Sequence, residues 1–171
     1  MSDFAHRLTL DRLRDGERID ITADDDECAA IAGRLGLLSL DRLAAHAVIA
    51  REGERIRAVG RLKASLVQAC VATGEPVAEH IDEAFELMFV PAPARGDEEV
   101  ELGAEELDTL FHDGQAIDLG EAITDTLALS IDPYPRSANA DTALREAGVL
   151  REEEAGPFAA LAALKAKMNE T

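Results

Sequence analysis

The stretch that decides the fold runs from Arg42 to Val71, RLAAHAVIAREGERIRAVGRLKASLVQACV. Two strand-like runs, 42–51 and 54–71, flank Glu52-Gly53 as the arms of a hairpin flank its turn. In the second run Ile56, Ala58, Leu62, Ala64 and Leu66 point to one side. Arg55, Arg57, Arg61, Lys63 and Ser65 point to the other, the period-two alternation of a sheet with one buried face. Thr73-Gly74-Glu75-Pro76 turns the chain, and Val77–Val90 (VAEHIDEAFELMFV) returns with Ile81, Phe85, Leu87 and Phe89 on a single face. If residues 72 and 77 pair at this turn, Lys63 falls opposite Glu86 and Leu62 opposite Leu87. Arg55, Arg57, Arg61 and Lys63 therefore admit two readings: an RNA contact patch facing phosphates, or a solvated face answering the acids of its neighbour.

Upstream, RLTLDRL (7–13) and ERIDITA (17–23) alternate around Asp15-Gly16, which predicts a first hairpin. Thr22 or Asp24 caps a helix over 24–35. Asp25, Asp26 and Glu27 fill its first turn, where acids oppose the positive end of the helix dipole. Cys28, Ile31 and Leu35 form its apolar stripe, and Gly36 suits a left-handed close. Capping accounts for the acidic run without a metal.

Downstream, PAPARGDEEVELGAEELD (91–108) holds seven acids from Asp97 to Asp108 and no base between them. Residues 92–106 are expected to form an acidic mobile loop, with ordered contact resuming at Leu107, Leu110 and Phe111. Asp118 opens a further helix, with Glu121 three residues on as in a capping box. Ile123, Leu127 and Ile131 lie along one face of it. Asp132 precedes Pro133 and is pushed out of the α region; Pro133 and Pro135 then hold an extended path. Asp132, Tyr134 and Arg136 are the candidate interaction surface, set against a plain reading as helix stop and rigid exit. Residues 137–156 are expected to be a weakly ordered linker with a short helix near Thr142–Ala147. A C-terminal helix is expected over 157–168, with Pro157 in its first turn and Phe158, Leu161, Leu164 and Met168 as its stripe.

The 171 residues suit a single domain, 1–171. With 47% apolar residues, 4% aromatics and no tryptophan, the core must be aliphatic. No apolar run approaches the ~20 residues that span a bilayer, and the opening MSDFAHRLTLDRLRDG is too charged for a secretory signal, so the cytoplasm is expected and a membrane is not. The net charge is −18. Residues 1–75 carry 11 Lys/Arg against 13 Asp/Glu, whereas residues 76–171 carry 6 against 22. Such a surface attracts basic proteins or keeps the chain soluble. There is no glycine-rich phosphate loop. His6, His46, His80 and His112 are scattered, and neither Cys28 nor Cys70 has a partner at metal-ligand spacing. No catalytic residue, metal or cofactor is expected.

Four stretches in order, GRLKASLVQACVATGEPV (60–77), IDEAFELMFVP (81–91), AIDLGEAITDTLALSIDPYPR (116–136) and GPFAALAALK (156–165), resemble the YceD family of bacterial and plastid large ribosomal RNA subunit accumulation proteins. The likeness is to its alphaproteobacterial branch. It implies a non-enzymatic role in 23S ribosomal RNA accumulation and large-subunit assembly. Many members have Cys-x-x-Cys where this chain has Cys70-Val71-Ala72-Thr73, which removes a thiolate pair. Combined with the charge, the resemblance points to a basic ribosomal protein or assembly factor as partner, with ribosomal RNA reached indirectly. Direct RNA binding through the basic strand is one alternative. A regulator or enzyme of lipid metabolism, prompted by gene neighbours typical of the family, is another. The expected fold is α+β: a twisted antiparallel sheet, or a partial barrel if it curls further, with two or three packed helices.

Overall fold

The computed structural model describes residues 3–92 and 109–149. The expected loop beyond Ala92, residues 150–156 of the expected linker and the expected helix 157–168 lie outside them. The chain divides into two compact units, Met1–Gln68 with Ala78–Pro133, and Ala69–Val77 with Tyr134–Thr171.

The class is α+β. The elements are β1 (Arg7–Thr9), β2 (Arg18–Thr22), α1 (Asp25–Leu35), β3 (Ser39–Glu52), β4 (Arg55–Ala69), β5 (Pro76–Pro91), β6 (Thr109–His112), β7 (Ala116–Asp118), α2 (Leu119–Ser130) and α3 (Ala140–Glu146). A twisted five-stranded sheet has the order β2-β3-β4-β5-β6, and β1 pairs with β7 in a second, two-stranded sheet. The larger sheet is not a closed barrel.

The hairpin read from Arg42–Val71 forms as β3 and β4, joined across Gly53-Glu54 with Glu52 opposite Arg55. Gly53 has φ 68°, a value that L side chains rarely adopt. Ile56, Ala58, Leu62, Ala64 and Leu66 are buried, as are Ile81, Phe85, Leu87 and Phe89 on β5. Gly60 interrupts the inward row of β4. A Cβ there would lie 1.9 Å from the His46 carbonyl oxygen and 2.8 Å from the Phe85 ring, so the strand carries glycine for space.

The helix over 24–35 forms as read. The Asp24 carboxylate accepts the Glu27 N–H at 2.9 Å, and the Asp24 N–H donates back to the Glu27 carboxylate at 2.8 Å. Gly36 closes it at φ 68°. Cys28, Ile31 and Ala32 face the core, where each large aliphatic side chain contributes ~1.5–3 kcal/mol.

Three expectations need correction. The first hairpin does not form. Gly16 N–H donates to Ile49 O, Ile49 N–H donates to Glu17 O, and β2 continues along β3 as an antiparallel neighbour. The run at 7–9 pairs instead with 116–118, more than a hundred residues on. Local alternation encodes a strand but not its partner. Second, the sheet is mixed, because β6 runs parallel to β5, Phe89 facing Leu110 in register. Third, the β4–β5 partners are displaced: Lys63 reaches Asp82 and Arg57 reaches Glu86. The turn falls two residues earlier than supposed, with Cys70 N–H donating to Glu75 O. The displacement is even, so the inward and outward faces survive it.

α2 starts at Asp118, whose carboxylate accepts the N–H groups of Glu121 and His6, both at 3.1 Å. Ile131 is already extended, at φ −70° and ψ 138°, so the helix ends ahead of Asp132-Pro133. Leu119, Ala122, Ile123, Thr124 and Leu127 are buried. In the second unit, α3 falls inside the stretch 137–156.

Candidate protein-interaction surface

The outward side chains of β4 meet those of β5. Arg57 donates to Glu86 at 2.8 Å, Arg61 donates to Asp82, and Lys63 lies 3.4 Å from the same carboxylate. The Arg61 guanidinium holds the Asp82 carboxyl below its usual range. These pairs are largely solvated and contribute little to stability. Their main effect is to neutralise the stripe. Of the four cations, Arg55 alone makes no ion pair among the described residues. Beyond them, Ser65 Oγ sits 3.1 Å from His80 Nδ1 on the same open face, a cross-strand pair that sequence spacing hides.

The opposite sign accumulates nearby. Among the described residues, 76–92 and 109–133 carry nine Asp/Glu and no Lys/Arg. Cations from other elements reach only part of this charge. Arg34, in the last turn of α1, serves Glu121 at 2.8 Å, Asp125 at 3.2 Å and Asp3 at 3.8 Å, one guanidinium against three carboxylates. Burial and the neighbouring Glu121 charge push the Asp125 carboxyl up despite Arg34. Arg7 lies 3.5 Å from Asp113.

Between α2 and the β5–β6 edge runs an open groove of about 410 Å³. Its floor includes Leu87, Leu110 and Ala122, and Glu83, Glu86 and Asp125 stand along it. Leu129, on the flank of α2, is 85% exposed. The buried Thr109 hydroxyl, in the same lining, has no hydrogen-bond partner among the described residues. An adjoining hollow of about 490 Å³ shares Leu110, Ala122 and Asp125 and adds Asp113 and the half-exposed Phe111. Sequence reading missed this groove. Its one local signal was Leu129, an apolar residue off the stripe of Ile123 and Leu127.

The candidate trio Asp132, Tyr134 and Arg136 straddles the boundary of the two units. In the first, the Asp132 carbonyl accepts the Gln68 amide at 3.1 Å and its N–H donates to Glu79 at 3.2 Å. In the second, Tyr134 is 74% exposed, the Pro135 carbonyl accepts the Val71 N–H, and Arg136 pairs with Asp141 at 3.3 Å. The proline-flanked exit thus anchors backbone.

Histidine chemistry is structural at His112. Its Nδ1 accepts the Gly114 N–H, so Nε2 donates to the Glu54 carbonyl, each at 3.1 Å. Among the described residues no group of three or more His, Cys, Asp or Glu could hold a metal ion, and no helix is long and apolar enough to cross a membrane.

A family model described as "Large ribosomal RNA subunit accumulation protein YceD" matches residues 58–165, more than half of the chain. The chain belongs to the YceD family. No curated protein and no solved structure matches it. The matched residues include β4 from Ala58 onward, β5, β6 and α2, so Arg61, Lys63 and the acidic groove lie within the YceD region, and Arg57 lies just ahead of it.

The YceD region also contains Cys70, in the second unit. Ser137 N–H donates to its sulfur at 3.3 Å, and Thr73, where the family often has a second cysteine, donates to the Glu75 carboxylate at 3.2 Å. The bond from the Ser137 N–H leads the effects that outweigh burial and lower the Cys70 thiol to about 6. Burial pushes Cys28 the other way. A group lowered on folding stabilises the fold above its unfolded pKa and loses that contribution as pH falls through the folded value. In a Cys28→Ala variant, thiolate ultraviolet absorbance should therefore titrate near pH 6 when folded and return to the ordinary thiol range, ~8.5, in denaturant. An unshifted folded titration would refute the assignment.

Proposed function

We propose that this protein supports large-subunit ribosomal RNA accumulation in the cytoplasm by binding a basic ribosomal protein or assembly factor, without catalysis, and meets RNA through that partner. One observation carries the reading: Arg57, Arg61 and Lys63 are engaged by Glu86 and Asp82. Phosphate binding draws its affinity from cations that displace counterions. Cations already paired within the sheet supply little of that, and the surrounding acids oppose a polyanion. The same acids attract a polypeptide rich in lysine and arginine.

Affinity purification of the tagged protein from growing cells, followed by ribonuclease digestion of the bound material, tests the proposal. A basic ribosomal protein or assembly factor should stay bound after digestion. Release of every ribosomal partner would overturn the reading. So would tight binding of a naked ribosomal transcript by the purified protein at physiological salt, weakened by replacing Arg55, Arg57, Arg61 and Lys63 with Gln.

A further inference from the structure

We propose that the groove between α2 and the β5–β6 edge is the docking site for one amphipathic basic segment of a protein partner, with Leu129 and Phe111 meeting its apolar side chains and Glu83 and Asp125 meeting its lysines and arginines. The inference rests on the proposed protein-mediated role and places it at a site.

Three independent features meet there. The first is shape: the groove and the adjoining hollow share Leu110, Ala122 and Asp125, so both open beside the same stretch of α2. The second is apolar exposure. Leu129 is 85% and Phe111 53% exposed, whereas Ile123 and Leu127 on the core side of α2 are fully buried. A segment laid beside the helix would cover both exposed side chains, as amphipathic helices do in grooves. The third is charge, and it selects the occupant. Glu83 makes no ion pair among the described residues. Asp125 shares its single cation, Arg34, with Glu121 and Asp3. The groove thus keeps surplus negative charge beside apolar surface. Nucleic acid would bring its own phosphates against these carboxylates, and a second copy of this −18 chain would bring more acid. A cationic amphipathic segment satisfies both the apolar and the electrostatic demand.

Fluorescence anisotropy on the full chain provides the test, with three labelled synthetic peptides of equal length. One is a helical peptide with Lys/Arg on one face and Leu/Phe on the other. The second is its scramble, of equal charge but without the stripe. The third has Glu in place of every cation. The first should bind at physiological salt, and the other two should bind at least ~10-fold more weakly. Leu129→Ser and Glu83→Lys each change a solvent-facing side chain, so folding should persist, as checked by circular dichroism. Each should weaken the first peptide roughly tenfold, the loss of one anchor at an interface centre, and leave the scramble unchanged. Equal binding of the amphipathic and scrambled peptides, or equal binding by wild type and both variants, would overturn the inference. So would a labelled RNA oligonucleotide displaced by Leu129→Ser, or a concentration-dependent dimer in sedimentation abolished by Leu129→Ser. Failure here is separable from failure of the proposed function. A ribonuclease-resistant basic partner that both variants still retain leaves that function standing and removes the groove from it.

Discussion

Gly60→Ala should cost this protein most of its stability. The new methyl group would be placed 1.9 Å from the His46 carbonyl oxygen and 2.8 Å from Ala47 Cα, both backbone atoms of β3. Overpacking of side chains costs ~1–3 kcal/mol because side chains can shift. Here two paired strands must separate, since Gly60 faces Ala47 in register near the centre of a thirteen-pair ladder. The loss should therefore exceed that range, a large share of the ~5–15 kcal/mol that holds a typical domain. At this chain length it corresponds to a fall in Tm of roughly 10 °C or more, read by circular dichroism. A companion variant locates the obstruction. The Phe85 ring lies 2.8 Å from the same position, so Gly60→Ala with Phe85→Leu removes the ring but not the carbonyl. The double variant should be no more stable than Gly60→Ala. Wild-type stability of the single variant, or rescue by Phe85→Leu, would refute the backbone argument.

Gly120→Ala should also destabilise, although helix propensity predicts the reverse. In a free helix the change gains ~1 kcal/mol. In α2 the Cβ would come 2.0 Å from the Phe4 carbonyl oxygen and 2.9 Å from the His6 nitrogen. The segment Phe4–His6 is laid across the first turn of the helix. Leu119 N–H donates to His6 O at 3.0 Å, and His6 N–H donates to Asp118 at 3.1 Å. An alanine expels this segment and exposes Phe4, otherwise 4% accessible, at a cost of ~1.5–3 kcal/mol for its apolar surface alone. The net fall in urea stability should be ~2 kcal/mol. Deleting residues 1–6 should reverse the sign, because the obstruction is gone and propensity then acts unopposed. A loss that persists in the truncated chain would show that the first turn of α2 excludes alanine for another reason.

These two glycines mark where sequence reading succeeds and where it stops. Patterns contained within one element were legible: the alternation from Ile56 to Leu66, the stripe of Ile81, Phe85, Leu87 and Phe89, and Asp24 as one of two candidate N-caps with the acids of the first turn after it. Each depends on neighbours a few residues away. Gly60 broke the inward row of β4, a local sign of close backbone approach, but the approaching backbone belongs to β3. Gly120 carried no sign at all, because its obstruction comes from the other end of the sequence. The pairing of 7–9 with 116–118 and the parallel placement of β6 were hidden for the same reason. Short strands carry too little pattern to name their partners.

The groove depends on non-local pairing still more. Leu129 is conspicuous only after Ile123 and Leu127 are known to face the core. Glu83 is conspicuous only after Asp82 and Glu86 are known to be taken by cations of β4. The basic stripe was visible as residues, but its neutralisation depended on a register that the turn at 70–75 sets. That turn closes two residues earlier than its composition implied.

The placement of Tyr134 has an optical consequence. It is the chain's only tyrosine, there is no tryptophan, and it stands 74% exposed in the second unit. Ultraviolet-excited emission from this protein therefore originates almost wholly outside the unit that holds both sheets. Among the described residues, most of the helix and strand that give far-ultraviolet dichroism lie inside it. A melting curve followed by both signals interrogates two different bodies of the same polypeptide.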